Sequence, residues 1–576
     1  MHTALKAYPF DFKQRSAPPR GGAARESHPV VVVGGGVAGL TAALALAAQG
    51  VKTVVIEADD TVCYGSRAIC ISRRSLEIYD RLGVAEALLA VGLPWTGGRS
   101  YYRDREVLHF TMPHDQNQKL PPMVNMQQYY LEEALVQACE KAAGTIDLRW
   151  NSRVTAVPSN DEQGALLQVE SGRDRYEIQA DWVIAADGGR SFMREALGLQ
   201  LKGTAYEGRY VVADIELETD LPTERLAWFD PPSNPGSTIL MHKQPDNVWR
   251  IDYQLREGED PEEAVKPENV LPRVKAHLDM IGQTGEWSPL WITIYKANAL
   301  TLERYLHGSV LFAGDAAHLV PIFGVRGANS AIDDVDNLAW KLAAVLHGKA
   351  DRALLDSYSE ERVFAAHENL KSGMKSTEFM APPTFAFKLM REAVLSLAGD
   401  TPGVRSLINP RQTSAIAYAD SSLNAPDSED AAFRGGPAAG TVLPNAPVVL
   451  HAPPRAPLDG HLCDHVPPGR FLILHFDAGQ GAPADVADAH ARLQREGVDV
   501  DLLPVVRGAG AAPQGVHLLD PTGAAFRLYD AEAGATYLVR PDGHVAGRWR
   551  SARPDGIVRA ATRILHPSNS RTGGQP

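Results

Sequence analysis

Four consecutive valines, Val30 to Val33, run directly into three consecutive glycines, Gly34 to Gly36, and then into an Ala/Leu-rich stretch from Val37 to Gln49. A β-branched apolar run of this kind is a strand buried on both faces, as in a parallel sheet covered by helices. The whole stretch from Val30 to Ala48 is almost uncharged and long enough to suggest a membrane span. The glycines interrupt it, and β-branched residues give way to helix formers at the same point, so a buried strand followed by a packed helix is expected. Gly34-Gly35-Gly36-Val37-Ala38-Gly39 matches G-x-G-x-x-G. Gly34 permits the tight turn, Gly36 lets the backbone approach a pyrophosphate, and Gly39 packs helix closely on strand. The free amides at Val37 and Ala38 and the positive end of the helix dipole then face the phosphates. The next apolar run ends on Glu57, about 20 residues on, where a carboxylate can hold ribose hydroxyls. The motif predicts a dinucleotide without saying which.

The pattern around this motif predicts the domains. Residues 29–207 alternate strand-like and helix-like runs, including amphipathic helices over 72–82 and 128–142 and a buried strand over 181–186. Residues 208–297 change character: alternating runs at 210–217, 238–242 and 248–255, separated by Pro/Gly/Asp-rich turns, predict an antiparallel sheet. A buried strand at 309–313 and long helices over about 328–376 resume the first pattern, so 29–207 and 298–420 are expected to form one domain with 208–297 inserted. Residues 421–440 read as a linker, and 441–567 as a small separate α/β domain with a hairpin turning at Asp542-Gly543. Residues 1–28 are expected to be a disordered tail, and 568–576 a short tail at the other end. No apolar signal-peptide core follows a basic start.

The charge balance, 57 basic against 70 acidic residues for a net −13, argues against nucleic-acid or anionic-membrane binding. Cys63, Cys70, Cys139 and Cys463 match neither a zinc site nor a Cys-x-x-Cys pair, which predicts no metal and fits a reducing cytoplasm.

Two later segments say which nucleotide. Ala185-Ala186-Asp187-Gly188-Gly189-Arg190-Ser191, with Arg194, resembles the Asp-Gly motif of FAD-dependent aromatic hydroxylases. Gly314-Asp315-Ala316-Ala317-His318, continuing through Pro321, Gly324, Gly327, Asn329, Asp334 and Asn337, resembles their second FAD signature. Over residues 29 to 375 the chain is similar to the para-hydroxybenzoate hydroxylase superfamily, most of all to its 3-(3-hydroxyphenyl)propionate and phenol hydroxylase branch. Arg326, Ala328 and Ala331 depart from the commoner family residues.

That resemblance implies an α/β (α+β) fold: a Rossmann-like FAD-binding domain, an inserted antiparallel-sheet substrate domain and a thioredoxin-like C-terminal domain. The tail domain, lacking Cys-x-x-Cys, would be structural or contact a second copy in a homodimer. The resemblance also implies that Asp315 accepts from a ribityl hydroxyl and that Gly327-Ala328-Asn329 bring backbone amides to the anionic edge of reduced flavin. Arg67 and Gln128 would line the flavin chain, with Gln127 leaving the register of the latter open, and Asp187 would reach the FAD and support NAD(P)H use. A single dinucleotide fingerprint implies that NADH or NADPH binds without a Rossmann domain of its own.

The implied reaction is hydroxylation of a phenolic compound with NAD(P)H and dioxygen through a flavin C4a-hydroperoxide, with a 3-(3-hydroxyphenyl)propionate-like phenolic acid as the first expectation. Three other readings stand beside it: a polyketide-type tailoring hydroxylase, a non-hydroxylating flavoenzyme of the same fold, and a flavin-binding regulatory protein without turnover. The Trp-x-Trp-x-Ile-Pro segment of tryptophan halogenases is missing around Trp249. The middle sheet should roof the substrate cavity, with His242, Arg250, Asp252, Tyr253 and Pro321 as candidates. Alternation puts Arg250 and Asp252 on one face and Trp249, Ile251 and Tyr253 on the other, and either face can line the pocket. His318 is expected to pack beside the flavin rather than bind a metal. No catalytic base is assigned.

Overall fold

The valine run forms the centre of a parallel sheet in the computed structural model, which describes residues 5–17, 25–65, 67–256, 258–408, 412–477, 479, 482–508, 515–551 and 553–567. The strand Arg25–Val33 lies between Asp174–Ala185 and Thr53–Ile56, all parallel, with Val310–Phe312 and Ile146–Arg149 extending the sheet on either side. Val30 to Val32 are buried. The helix Val37–Ala47 that follows is buried around most of its circumference, which explains its unbroken Ala/Leu composition. No helix among the described residues is long and apolar enough to cross a membrane.

The inserted sheet is larger than the 208–297 expected. Lys202–Leu217 pairs with Trp287–Thr301 and Val248–Gln254, and Thr238–Lys243 and Arg225–Phe229 follow. The hairpin Gly97–Tyr102 and Arg105–Thr111 then joins the far edge, with Gly97–Tyr102 parallel to Arg225–Phe229. Polar, half-buried strands of this kind carry no signal for which sheet they join. One face of the sheet packs Val211, Ala213, Trp249, Ile251 and Tyr253 against the helix Pro267–Met280. The other faces the first domain.

Two expected tails or linkers turn out to be packed. Within 1–28, the strand already begins at Arg25. Residues 5–17 lie against the first domain, where Tyr8, Phe10 and Phe12 form an aromatic cluster with Tyr64, Tyr129 and Tyr130. Residues 1–4, 18–24 and the 568–576 tail lie outside the described residues. Within 421–440, Leu423 and Ala425 are buried beside Trp549, and the Ala425 amide donates to the Ala546 carbonyl. This segment belongs to the C-terminal domain's core.

In that domain, Phe471–Asp477, Val500–Arg507 and His517–Asp520 are parallel, and the hairpin Thr536–Val539/Val545–Trp549 adds antiparallel to Phe471–Asp477. Helices Ala484–Arg495 and Pro554–Leu565 share its hydrophobic core. A buried ionic network clamps this domain to the first. Glu361 accepts from Arg540 at 2.5 and 2.9 Å and from Lys341 at 2.9 Å, and Asp542 accepts from Arg540 and from Trp340 Nε1.

Candidate functional site

A single cavity of about 640 Å³ runs from the glycine motif to the inner face of the inserted sheet. Its first wall is the strand–helix turn. Gly34 has φ +106°, and a Cβ there would lie 2.4 Å from the Ala186 carbonyl oxygen. A Cβ on Gly39 would lie 1.8 Å from the Gly34 oxygen, so the helix can approach the turn only with glycine there. Glu57 accepts from the Gly35 amide, and from the Asp59 amide at 2.8 Å. Burial raises the pKa of Glu57, while these two amides pull it down. Glu132, buried in the helix Gln128–Lys141, accepts from the Cys63 amide at 2.7 Å and from Gln128 Nε2 at 2.8 Å.

The opposite wall is the start of the helix Gly327–Leu346. No side chain caps it, and Gly327 and Ala328 of its first turn line the cavity. The Asn329 side chain is held by the protein: its Oδ1 accepts from the Ser72 amide at 2.9 Å and Ser75 Oγ at 2.7 Å, and its Nδ2 donates to the carbonyls of Cys70 and Val325. It pins the helix start to the strand Cys70–Ser72. Val325, just before, sits at φ +52°, a strained conformation for a β-branched residue. Asp315 and Arg67 project into the cavity between these walls.

The remaining wall is the inserted sheet. Its pleat and register put two rows of side chains over the cavity. One row runs Arg225, His242, Arg250, Asp214, Trp291, and the next runs Ala227, Leu240, Asp252, Val212, Thr293. Asp214 is fully buried and accepts from Tyr8 Oη at 2.7 Å and Arg250 Nε at 3.1 Å. Arg250 Nη1 also donates to the Arg67 carbonyl at 3.1 Å, tying the sheet to the loop beneath. Gly65, at φ +82°, lets that loop pack on Trp291: a Cβ there would stand 2.5 Å from the indole.

These residues fit a flavin dinucleotide. The glycine cradle admits a backbone-hugging pyrophosphate, the uncapped helix amides suit an electron-rich ring edge, and Asp315 and Arg67 present polar groups along the span between them.

A family model described as "FAD binding domain" matches residues 27–372. The chain belongs to this FAD-binding family. The aromatic-hydroxylase resemblance drawn from its motifs is borne out by what it is similar to. The 3-(3-hydroxy-phenyl)propionate/3-hydroxycinnamic acid hydroxylase of Mycolicibacterium smegmatis is 26% identical over 95% of this chain and 94% of its own. The 6-methylpretetramide 4-monooxygenase of Streptomyces rimosus is 28% identical over 94% of this chain and 95% of its own. The crystal structure of the flavin-dependent monooxygenase PieE with FAD and substrate superposes with a TM-score of 0.77 at 24% identity, covering 94% of this chain and 99% of that one. The α/β fold expected from sequence is therefore shared, and the chain is an FAD-dependent monooxygenase of the aromatic-hydroxylase type.

Within this FAD-binding family member, most of the expected residues converge. Gly34, Gly36, Val37, Ala38, Glu57, Arg67, Gln128, Asp187, Asp315, Gly327, Ala328 and Asn329 all line the cavity, as do His242, Arg250, Asp252 and Pro321. Gly39 lies one turn back, supporting the cradle. Gln128 is the glutamine on the cavity, while Gln127 turns away to donate to the Pro245 carbonyl.

Two residues, Tyr253 and His318, differ from expectation, and Asp187 on the cavity wall has local partners. Tyr253 does not line the cavity: strand alternation turns it to the far face, where it packs beside Arg273. Asp187 spends both oxygens locally, accepting from Ser191 Oγ at 2.6 Å and the Met193 amide at 2.9 Å at the start of the helix Phe192–Ala196. His318 is absent from the cavity wall and bonds Asp334 at 2.7 Å, which also accepts from the Gly314 amide and from Arg362. Sequence reading missed Glu132, Asp214, Arg225, Trp291 and Thr293. Only the alternation that already placed Arg250 and Asp252 together could have signalled Asp214 and Arg225.

Proposed function

We propose that this monooxygenase is a single-component enzyme that hydroxylates a phenolic compound with NADH or NADPH and dioxygen, a phenolic acid of the 3-(3-hydroxyphenyl)propionate kind being the first candidate. The observation that carries this reading is the continuity of one cavity from the dinucleotide cradle to a sheet face bearing buried, ionisable side chains. Bound FAD would take reducing equivalents from NAD(P)H and activate dioxygen for transfer of one oxygen atom to the ring.

The chain's own residues supply the surroundings. Gly34, Gly36, Gly39 and the amides of Val37 and Ala38 would hold the pyrophosphate, with Glu57 at the ribose. Asp315, Arg67 and Gln128 would border the flavin chain, and the amides of Gly327 and Ala328 would face the flavin's pyrimidine edge. Leu240, Val212 and Phe323 make the substrate end apolar and exclude water. Pro321 and Ile322 narrow it from the flavin side. The βαβ-plus-hairpin order of the C-terminal domain supports a thioredoxin-like reading of that domain. The exposed apolar side chains Phe385, Leu389 and Met390 of the helix Phe385–Ala398 support a homodimer. Four cysteines without a disulfide suit a reducing cytoplasm.

A second reading, a tailoring hydroxylase of polyketides, is favoured by the near-full-length likeness to the Streptomyces rimosus monooxygenase and to the aklavinone-11 hydroxylase complex, the latter at a TM-score of 0.71. One experiment tests both. NADH and NADPH oxidation by the yellow holoenzyme is measured against small phenols, phenolic acids and polycyclic phenols, with product mass recorded. A product gaining about 16 mass units, one oxygen atom, from a small phenolic acid establishes the first reading. The same gain from polycyclic phenols alone establishes the second. Bound FAD with no phenol-dependent turnover refutes both.

A further inference from the structure

The inner face of the inserted sheet carries three buried polar side chains that the protein itself leaves unsatisfied. Asp252 is 5% exposed, its Oδ1 is buried without a hydrogen-bond partner, and its carboxylate forms no hydrogen bond among the described residues. It projects from Val248–Gln254 between Leu240 and Val212 on the adjoining strands. His242 is equally buried, and both ring nitrogens are unpartnered among the described residues. Arg225 is 7% exposed and forms no ion pair or hydrogen bond among the described residues. The register Leu226↔Met241 sets Arg225 beside His242, with Asp252 one row further along the sheet. All three line the cavity.

A buried charge without a partner is strongly destabilising, so proteins do not collect such groups on one face without a use for them. Arg225 and Asp252 each feel the other's charge yet do not close into an ion pair. The space between them is open on the cavity side, and its polar atoms await a ligand that both donates and accepts. A phenolic hydroxyl is such a group.

We propose that Asp252 is the proton acceptor for the substrate's phenolic hydroxyl, which sits in the space framed by Asp252, His242 and Arg225. This rests on the phenol-hydroxylation reading above. In the step, the phenol O–H bond breaks and its electron pair stays on oxygen, while a new O–H bond forms on Asp252. The negative charge moves from the carboxylate to the phenolate, where the Arg225 guanidinium faces it, and no oxidant is consumed. The electron-rich ring is then ready to receive oxygen from the flavin side, and Asp252 returns its proton to solvent.

The neighbours leave Asp252 as the base. Asp214 is committed to Tyr8 and Arg250. His242 lies between Arg225 and Arg250, and burial together with those two cations holds its pKa at about 3, too weak a base for a phenol. Cys70, from the strand beneath, donates to Asn125 Oδ1, and burial pushes its thiol up to about 12. Burial raises Asp252 to about 7, with Arg250 and Arg225 opposing and Asp214 reinforcing the shift. A base near the working pH combines proton affinity with availability.

The test uses the full-length FAD-loaded enzyme, its Asp252→Asn and Asp252→Glu variants, and phenols of graded acidity, including fluorinated ones. FAD content and melting temperature establish folding. Two readouts are followed: phenol affinity, from the change in the flavin spectrum across pH 5–9, and coupled hydroxylation. Wild-type affinity and kcat/KM should share an ionisation near pH 7, falling on the acid side as Asp252 protonates. D252N should lose that ionisation and about 10²–10⁴-fold in kcat with ordinary phenols. It should regain much of the loss with fluorinated phenols, which ionise unaided, a rescue that a purely structural role would not give. D252E should recover part of the rate. The proposal is overturned if D252N keeps the wild-type pH profile, or if its loss is the same for all phenols. A yellow wild-type enzyme that neither binds nor hydroxylates any phenol overturns the functional reading itself, and the proposal with it.

Discussion

Replacing Glu361 by glutamine probes how the C-terminal domain is held. Four charges meet in a region closed to water: Glu361 and Asp542 against Arg540 and Lys341. The set is neutral as it stands. Arg540 forks onto both carboxylates, and Lys341 completes the count through Glu361 and Asn337. Burial already depresses Lys341 to about 8 with Glu361 present. E361Q removes one negative charge and leaves two cations facing one anion. Uncovering a buried charge costs about 3–5 kcal/mol. At roughly 2–4 °C per kcal/mol for a domain of this size, the transition of the C-terminal domain should fall by about 6–20 °C in differential scanning calorimetry. Removing Lys341 as well restores neutrality, so E361Q/K341M should melt above E361Q, with a coupling of about 1–3 kcal/mol in the double-mutant cycle. A double variant that falls by the sum of the two single changes would refute the charge-balance argument, and so would E361Q melting with the wild type.

The same network sets an acid limit: Arg540 holds Glu361 and Asp542 below the usual carboxylate range. Their stabilisation is therefore full above the unfolded carboxylate pKa of about 4 and is lost as pH falls below it, which a melting series from pH 6 to pH 3 should show as a steepening decline. Gly39→Ala puts a methyl group 1.8 Å from the Gly34 oxygen, so the purified protein should be colourless, with FAD affinity reduced at least about 100-fold by fluorescence titration. His242→Leu removes a buried imidazole that has no hydrogen-bond partner among the described residues, so the melting temperature should hold or rise, by up to about 1 kcal/mol in stability, while phenol binding weakens. A drop in melting temperature would show that His242 serves the fold instead.

What could be read from sequence was local. The valine run, the glycine turn and Glu57 form one contiguous signal because a buried parallel strand, a phosphate-binding turn and a helix start each demand particular residue types at fixed short spacings. The motifs around Asp187 and Asp315 were legible for the same reason, and alternation along Val248–Gln254 rightly paired Arg250 with Asp252. It could not say which face meets the cavity. That depends on whether the helix Pro267–Met280 or the flavin domain covers a given side, and the helix took the face with Tyr253. Asp187 and Asn329 line the cavity, but only the fold shows the local hydrogen bonds their side chains make. Tyr8 lies in a charged, Pro/Gly-containing segment with no periodicity, yet its hydroxyl meets Asp214, 206 residues away. Such pairings, like the neutral count of charges around Glu361 and the unpaired state of Arg225, Asp252 and His242, are properties of the space between strands and domains. Sequence determined the cofactor cradle because its chemistry is encoded within one strand–turn–helix. Tertiary structure decided the substrate face, because there each residue's meaning depends on which distant group is beside it.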